Sequence, residues 1–144
     1  MKILISIFLF VNFIFASTIK VGDDLSTLKV SDQFDKVLQV NENIKKLIVV
    51  FSKDKGNEIK SFFETNPNYL KSNNAIYLAD VSAAPGFVTN MFMVPKFKKY
   101  NYSIGLIRDE KLANSFPKKD EESITIIELD KNKVSSIKYE RSLK

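Results

Sequence analysis

The residues of this chain that could do chemistry gather where an apolar run gives way to a polar turn. In LIVVFSKDKGNEIKSFF (47–63), the run ending at Phe51 is followed by Ser52, Lys53, Asp54, Lys55, Gly56 and Asn57. In AIYLADVSAAP (75–85), Asp80 and Ser82 stand at the corresponding place. Turns that lead from a strand into a helix present side chains at the carboxyl edge of an open sheet, where ligands bind. Lys53, Asp54 and Asp80 are therefore the first candidates for acid–base chemistry, and Ser52 and Ser82 would complete a small polar pocket. Lys53 and Lys55 at a helix start could also receive an anion, aided by the free amides there. Each group has a plainer use. Ser82 could cap a helix, Asp80 could bond loop amides, and the lysines could simply be solvated.

A third cluster is PKFKKYNY (95–102), where Lys96, Lys98 and Lys99 interleave with Phe97, Tyr100 and Tyr102. Lysines among interfacial aromatics suit an anionic membrane or glycan surface. The alternative is a connector with its rings turned inward and its amines in water.

The exclusions are stronger than the candidates. The chain has no cysteine and no histidine. Thiol redox chemistry, Cys/His zinc sites, haem ligation by either residue and every histidine-based triad are ruled out. A serine nucleophile would need a lysine partner, and no such pair stands out. The acidic run DEES (120–123) with nearby Asp130 lacks the alternating ligands and glycine turn of a calcium loop. No metal and no cofactor are expected.

The elements that must position these groups follow from periodicity. TLKV (27–30) and VLQV (37–40) alternate around the polar turn SDQFDK, which predicts a hairpin. LIVVF (47–51) and AIYLADV (75–81) read as strands covered on both faces. Between them a helix carries Ile59, Phe62 and Phe63 on one stripe, capped by Asp54 or Asn57 and stopped before Pro67. Asn66-Pro67 opens a further short turn that takes Tyr69 and Leu70 inward. A second helix starts at Pro85, holds Phe87, Val88, Met91 and Phe92 on one face, and ends at Pro95. YSIGLI (102–107) is predicted as a strand and DEKLANSF (109–116) as a short helix. SITIIEL (123–129) and KVSSIKYE (133–140) make a closing hairpin around Asp130, Lys131 and Asn132, with the asparagine suited to positive φ. Strands alternating with helices argue for an α/β sheet with parallel central strands.

The N-terminus is of another kind. Lys2 precedes an apolar stretch from Ile3 to Phe15, and Ala16 offers a small residue for cleavage. This is the pattern of a secretory signal peptide, and the stretch is shorter than the roughly 20 residues of a spanning helix. The expected organisation is a leader over 1–16 and one domain over 17–144, exported to the periplasm, with no transmembrane segment after cleavage. The formal net charge of +5 falls by one without Lys2. So mild an excess suggests contact with anionic envelope surfaces rather than with nucleic acid.

This element order resembles the thioredoxin-like fold, a three-layer α/β sandwich with an N-terminal β-hairpin and a mixed sheet ending in an antiparallel hairpin. VGDDLSTLKVSDQFDK resembles the opening of peroxiredoxin-type and related periplasmic members. LIVVFSKDKGNEIK resembles the strand and helix start that carry their redox cysteines, and FPKKDEESITIIELDKNKVSSIKYE their closing hairpin. The combination is similar to the exported YtfJ-type branch. The resemblance implies that the two cysteine positions fall at Gly56 and Ile59, neither of which can form a thiolate. It also implies a cis-proline before the third central strand, near Glu122 or Ser123, where the nearest proline is Pro117. A helix after the last strand is usual in the superfamily, and only ERSLK remains here, so one sheet face is expected to be under-covered. The resulting expectation is a non-redox envelope module that binds a protein partner or a surface. The alternatives are a cysteine-independent enzyme at the strand ends, or a peripheral binder of anionic membrane.

Overall fold

The computed structural model describes residues 17–144, and the expected leader over 1–16 lies outside them. The elements in chain order are β1 (Lys29–Ser31), β2 (Val37–Gln39), β3 (Lys46–Val50), α1 (Lys53–Thr65), α2 (Tyr69–Ser72) and β4 (Ala75–Asp80). A helical stretch follows, made of α3 (Gly86–Val88), a π turn (Thr89–Met93) and α4 (Val94–Phe97). The chain closes with β5 (Gly105–Ile107), α5 (Glu110–Ser115), β6 (Ile124–Asp130) and β7 (Lys133–Glu140). No helix among the described residues is long and apolar enough to cross a membrane.

β1 and β2 form their own antiparallel sheet, and the other strands form one mixed sheet in the order β5-β4-β3-β6-β7. β3, β4 and β5 run parallel, whereas β6 pairs antiparallel with β3 and β7 antiparallel with β6. β3 is the centre. From Leu47 to Val50 no residue is more than 1 % exposed, as an uninterrupted apolar strand requires when both its faces are covered. Alternation divides its side chains between two cores. Leu47 and Val49 join Leu25, Val30, Phe116 and Ile127 on one face, while Ile48 and Val50 join Ile59, Phe63, Tyr77 and Ile104 on the other.

Both faces of the sheet are therefore covered: the face expected to be under-covered, unless segment 96–122 folded over it, does receive Ala113 and Phe116 from that segment. The N-terminal segment, the β1–β2 hairpin and α5 supply Ile19, Leu28, Val30 and Ala113 to the first core. Ile137 is half-buried against it, and Tyr139 is an exposed large hydrophobic residue at that end. The tail after β7 is not helical, yet it is tied down. The buried amine of Lys55 donates to the Arg141 carbonyl at 2.8 Å and to Glu58 at 2.7 Å. The Arg141 guanidinium makes two 2.9 Å bonds to Asp120, and this contact, with the Ser123 hydroxyl, holds the Asp120 carboxyl below its ordinary range. Leu143 packs against the second core.

Three local expectations need correction. The cap of α1 is Ser52, whose Oγ accepts from the Lys55 amide at 3.2 Å. Asp54 and Asn57 lie inside the helix instead. Pro95 does not end the second helix, which continues to Phe97. The wide π turn before it, with the Val94 amide reaching the Thr89 carbonyl, makes room for a proline ring and its missing N–H. The residues grouped on one face of that helix are also not core. Phe87, Met91 and Phe92 are each 65 % exposed, and Met93, Val94 and Phe97 pack inward in their place.

Two residues of the turn SDQFDK are not solvated as its polarity suggests. Asp32 and Gln33 are 2 % and 1 % exposed. Asp32 Oδ1 accepts from the amides of Phe34 and Lys36 and shapes the turn. The Gln33 amide reaches across to the segment after α4. Its Nε2 donates to the carbonyls of Tyr102 (2.7 Å) and Phe97 (3.3 Å), and its Oε1 accepts from the Ile104 amide at 2.8 Å. Replacing Gln33 by leucine strands the Ile104 N–H and the Tyr102 carbonyl, while the Phe97 carbonyl keeps the Tyr100 amide, at a cost of about 1–3 kcal/mol for each group stranded. Q33L is expected to lose roughly 2–4 kcal/mol in urea unfolding, with the largest gain in amide exchange over 97–104.

Gly105 sits where β5 passes under the hairpin. A Cβ there would lie 2.4 Å from Leu78 Cδ2 and 3.3 Å from Val30 Cγ1. Gly105→Ala is expected to destabilise by about 1–3 kcal/mol through overpacking, read as a lower denaturation midpoint at unchanged m-value.

Candidate functional site

The carboxyl ends of β3 and β4, the first turn of α1 and the helical stretch 86–97 enclose a cavity of about 470 Å³. Small-molecule sites commonly fall in the range of roughly 300–1,000 Å³. The wall is chiefly apolar, with Val50, Val81, Met93, Phe97 and Ile104 among its members. Phe92 belongs to the wall, and exposed Phe87 and Met91 extend the apolar surface outside it.

The structure brings together only some of the groups singled out in the sequence. Lys53, Asp80, Lys96 and Tyr100 all line the cavity. Asp54, Ser82, Lys98 and Lys99 do not. Asp54 is exposed on the first turn of α1. Asp80 Oδ1 accepts from the Ser82 amide at 2.9 Å and from the Ser82 hydroxyl at 2.6 Å. This is local turn chemistry, and it leaves the Ser82 hydroxyl committed. Ser82 does not cap the next helix, whose cap position is Pro85. Lys55 is engaged with Glu58 and Arg141, so it is not an anion ligand. No cluster of three or more potential metal ligands occurs among the described residues.

The lysines of PKFKKYNY are exposed and its rings are turned inward. Phe97, Tyr100 and Tyr102 pack on the second core. Tyr100 and Tyr102 stack at 5.5 Å, and Phe63 meets Tyr102 edge-on at 4.9 Å. The Lys60 amine lies 5.5 Å from the centre of the Tyr100 ring, a cation–π distance.

The two positions assigned to lost cysteines differ in their surroundings. Ile59 is 1 % exposed and belongs wholly to the core. Gly56 lines the cavity, and a Cβ built on it would be 3.9 Å from the Tyr77 hydroxyl. At Gly56, the position that the resemblance implies for the first cysteine, the chain has a hollow with a tyrosine hydroxyl beside it. Tyr77 was not singled out in the sequence, because an aromatic in a buried strand looks like ordinary core. Its ring does pack at 5.4 Å on Phe63, but its hydroxyl reaches the cavity wall. Burial, with the neighbouring Tyr102 and Tyr100, drives the Tyr77 phenol far above its ordinary range, and burial does the same to Tyr102. Both stay protonated at any physiological pH and can donate a hydrogen bond.

Glu122 and Ser123 directly precede β6, and no cis peptide bond occurs among the described residues. Pro117 is buried, and its carbonyl accepts from the Thr125 hydroxyl at 2.7 Å.

No protein-family model matches the chain, and no curated protein matches it in sequence. Solved structures do. A PrxQ variant from Xylella fastidiosa matches at a TM-score of 0.55 and 14% identity, over 89% of this chain and 89% of that one. The peroxidoxin BcpB from Mycobacterium tuberculosis matches at 0.53 and 13%, over 84% and 86%. An uncharacterized thioredoxin-like protein from Porphyromonas gingivalis matches at 0.52 and 12%, over 81% and 82%. At such identities the likeness is one of architecture. With its five-stranded mixed sheet and appended hairpin, the chain has the thioredoxin-like fold, and it has that fold without a cysteine.

Proposed function

We infer that this protein is a non-redox binding module of the bacterial cell envelope, exported by its N-terminal leader to the periplasm and acting as one domain over 17–144. The observation that supports it best is the cavity at the strand ends, which is hollow and mostly apolar where thiol-bearing relatives would keep a sulfur. Its continuation into exposed Phe87, Met91 and Phe92 gives a partner or ligand an apolar surface to cover, and exposed apolar patches on a protein surface mark interaction sites. The enzyme alternative is less well supported. Of its three first candidates, Asp54 lies off the cavity and Asp80 is bonded to Ser82, so no base–nucleophile pair is assembled.

Insulin reduction and peroxide consumption by the cleaved protein are expected at background, and robust turnover in either would overturn the non-redox reading. The neutral probe N-phenyl-1-naphthylamine is expected to gain fluorescence on the folded protein. Val88→Glu, which puts a charge on the cavity wall, is expected to remove at least nine-tenths of that gain while leaving the far-UV circular dichroism unchanged.

A surface-binding role has separate support, since Lys96, Lys98 and Lys99 are exposed on the segment that follows the apolar residues Phe87, Met91 and Phe92. Sedimentation with vesicles containing phosphatidylglycerol tests it. Binding that falls with salt and is abolished by neutralising all three lysines to glutamine is the expected outcome of that role.

A further inference from the structure

Tyr77 is 3 % exposed, lines the cavity, and donates no hydrogen bond to any described residue. The hydroxyl is not sealed in the core but opens onto the cavity, so its hydrogen-bonding capacity is left to whatever occupies that space. The group ends against Gly56 on the first turns of α1, a thirteen-residue helix whose starting residues Ser52 and Lys53 share the same cavity. An unpartnered donor and a helix N-terminus thus converge on one end of an apolar chamber. The charged side chains of the wall are Lys53, Lys96 and Asp80. Both lysines are exposed and make no ion pair among the described residues, whereas Asp80 already serves Ser82.

Resting on the reading of the cavity as a binding site, we propose that its ligand is an amphiphilic carboxylate of the fatty-acid class. The carboxylate takes the Tyr77 hydroxyl and the start of α1, and the aliphatic chain lies among Val81, Met93, Phe97 and Ile104. Two physical arguments select this class. A carboxylate accepts from a neutral phenol and is favoured by the helix N-terminus and by two free lysines. An aliphatic chain makes no polar demands on an apolar wall, whereas a peptide would bury amides that this wall has few groups to satisfy. Because the Tyr77 phenol is pushed so far up by burial, it remains a donor opposite the anion.

The test is displacement of bound N-phenyl-1-naphthylamine by dodecanoate, with dodecyltrimethylammonium as the cationic control. Dodecanoate is expected to displace the probe at least tenfold more effectively than the control. Tyr77→Phe is expected to weaken dodecanoate about tenfold while the unliganded protein keeps its melting temperature, since the hydroxyl bonds nothing in the fold. Lys53→Gln should flatten the salt dependence of dodecanoate binding. Equal displacement by the cationic amphiphile, an unaffected Y77F, or probe binding that dodecanoate cannot compete would overturn the ligand class and leave the binding module standing. Failure of the neutral probe to bind at all would overturn both.

Discussion

One buried amide holds the cavity end of this protein together. Gln33 belongs to the turn of the N-terminal hairpin, yet all three of its hydrogen bonds go to residues 97–104. Those residues carry Tyr100, Tyr102 and Ile104 into the cavity wall. The hairpin covers the opposite face of the sheet, so Gln33 couples the two layers around the end of β5. A buried polar group that satisfies every partner specifies one arrangement, because any other leaves those partners stranded in a low-dielectric interior. The position of the aromatic wall therefore depends on a residue some seventy positions earlier in the chain.

The sheet imposes the second constraint. β3 is buried on both sides, so everything it presents to solvent is presented at its ends. At its carboxyl end, Ser52 caps α1 and the helix begins at once. Here Gly56 leaves space, and Tyr77 from the adjacent strand β4 puts a hydroxyl beside it. A phenol driven upward by burial neither attacks nor takes up protons; it donates.

The helical stretch 86–97 completes the cavity and shows how a local irregularity positions function. Its π turn lets Pro95 sit inside a helix rather than end it. Along this stretch Met93, Val94 and Phe97 pack on the core, Phe92 is exposed at the cavity wall, and Phe87 and Met91 are exposed beyond it. π turns of this sort are often found at functional sites.

Much of the architecture was legible without coordinates. The order of strands and helices, the closing hairpin with Asn132 at φ 72°, the inward turn of Tyr69 and Leu70, and the core role of Ile59 all follow from periodicity, turn residues and burial of apolar runs. Those are local signals, and each is carried by a few neighbouring residues. The absence of cysteine and histidine likewise settled which chemistries are closed to the chain, since a missing functional group needs no structure to be missing. What the linear chain did not reveal depends on contacts between distant segments. Gln33 looked like a turn residue, Tyr77 like core, and Pro95 like a stop, because a side chain's partners and the register of a helix are set by what packs against them. The types of group available were determined by composition. Which of them meet at the cavity was decided only when β3, β4, α1 and the stretch 86–97 converged, for long-range packing leaves no pattern in any short window of sequence.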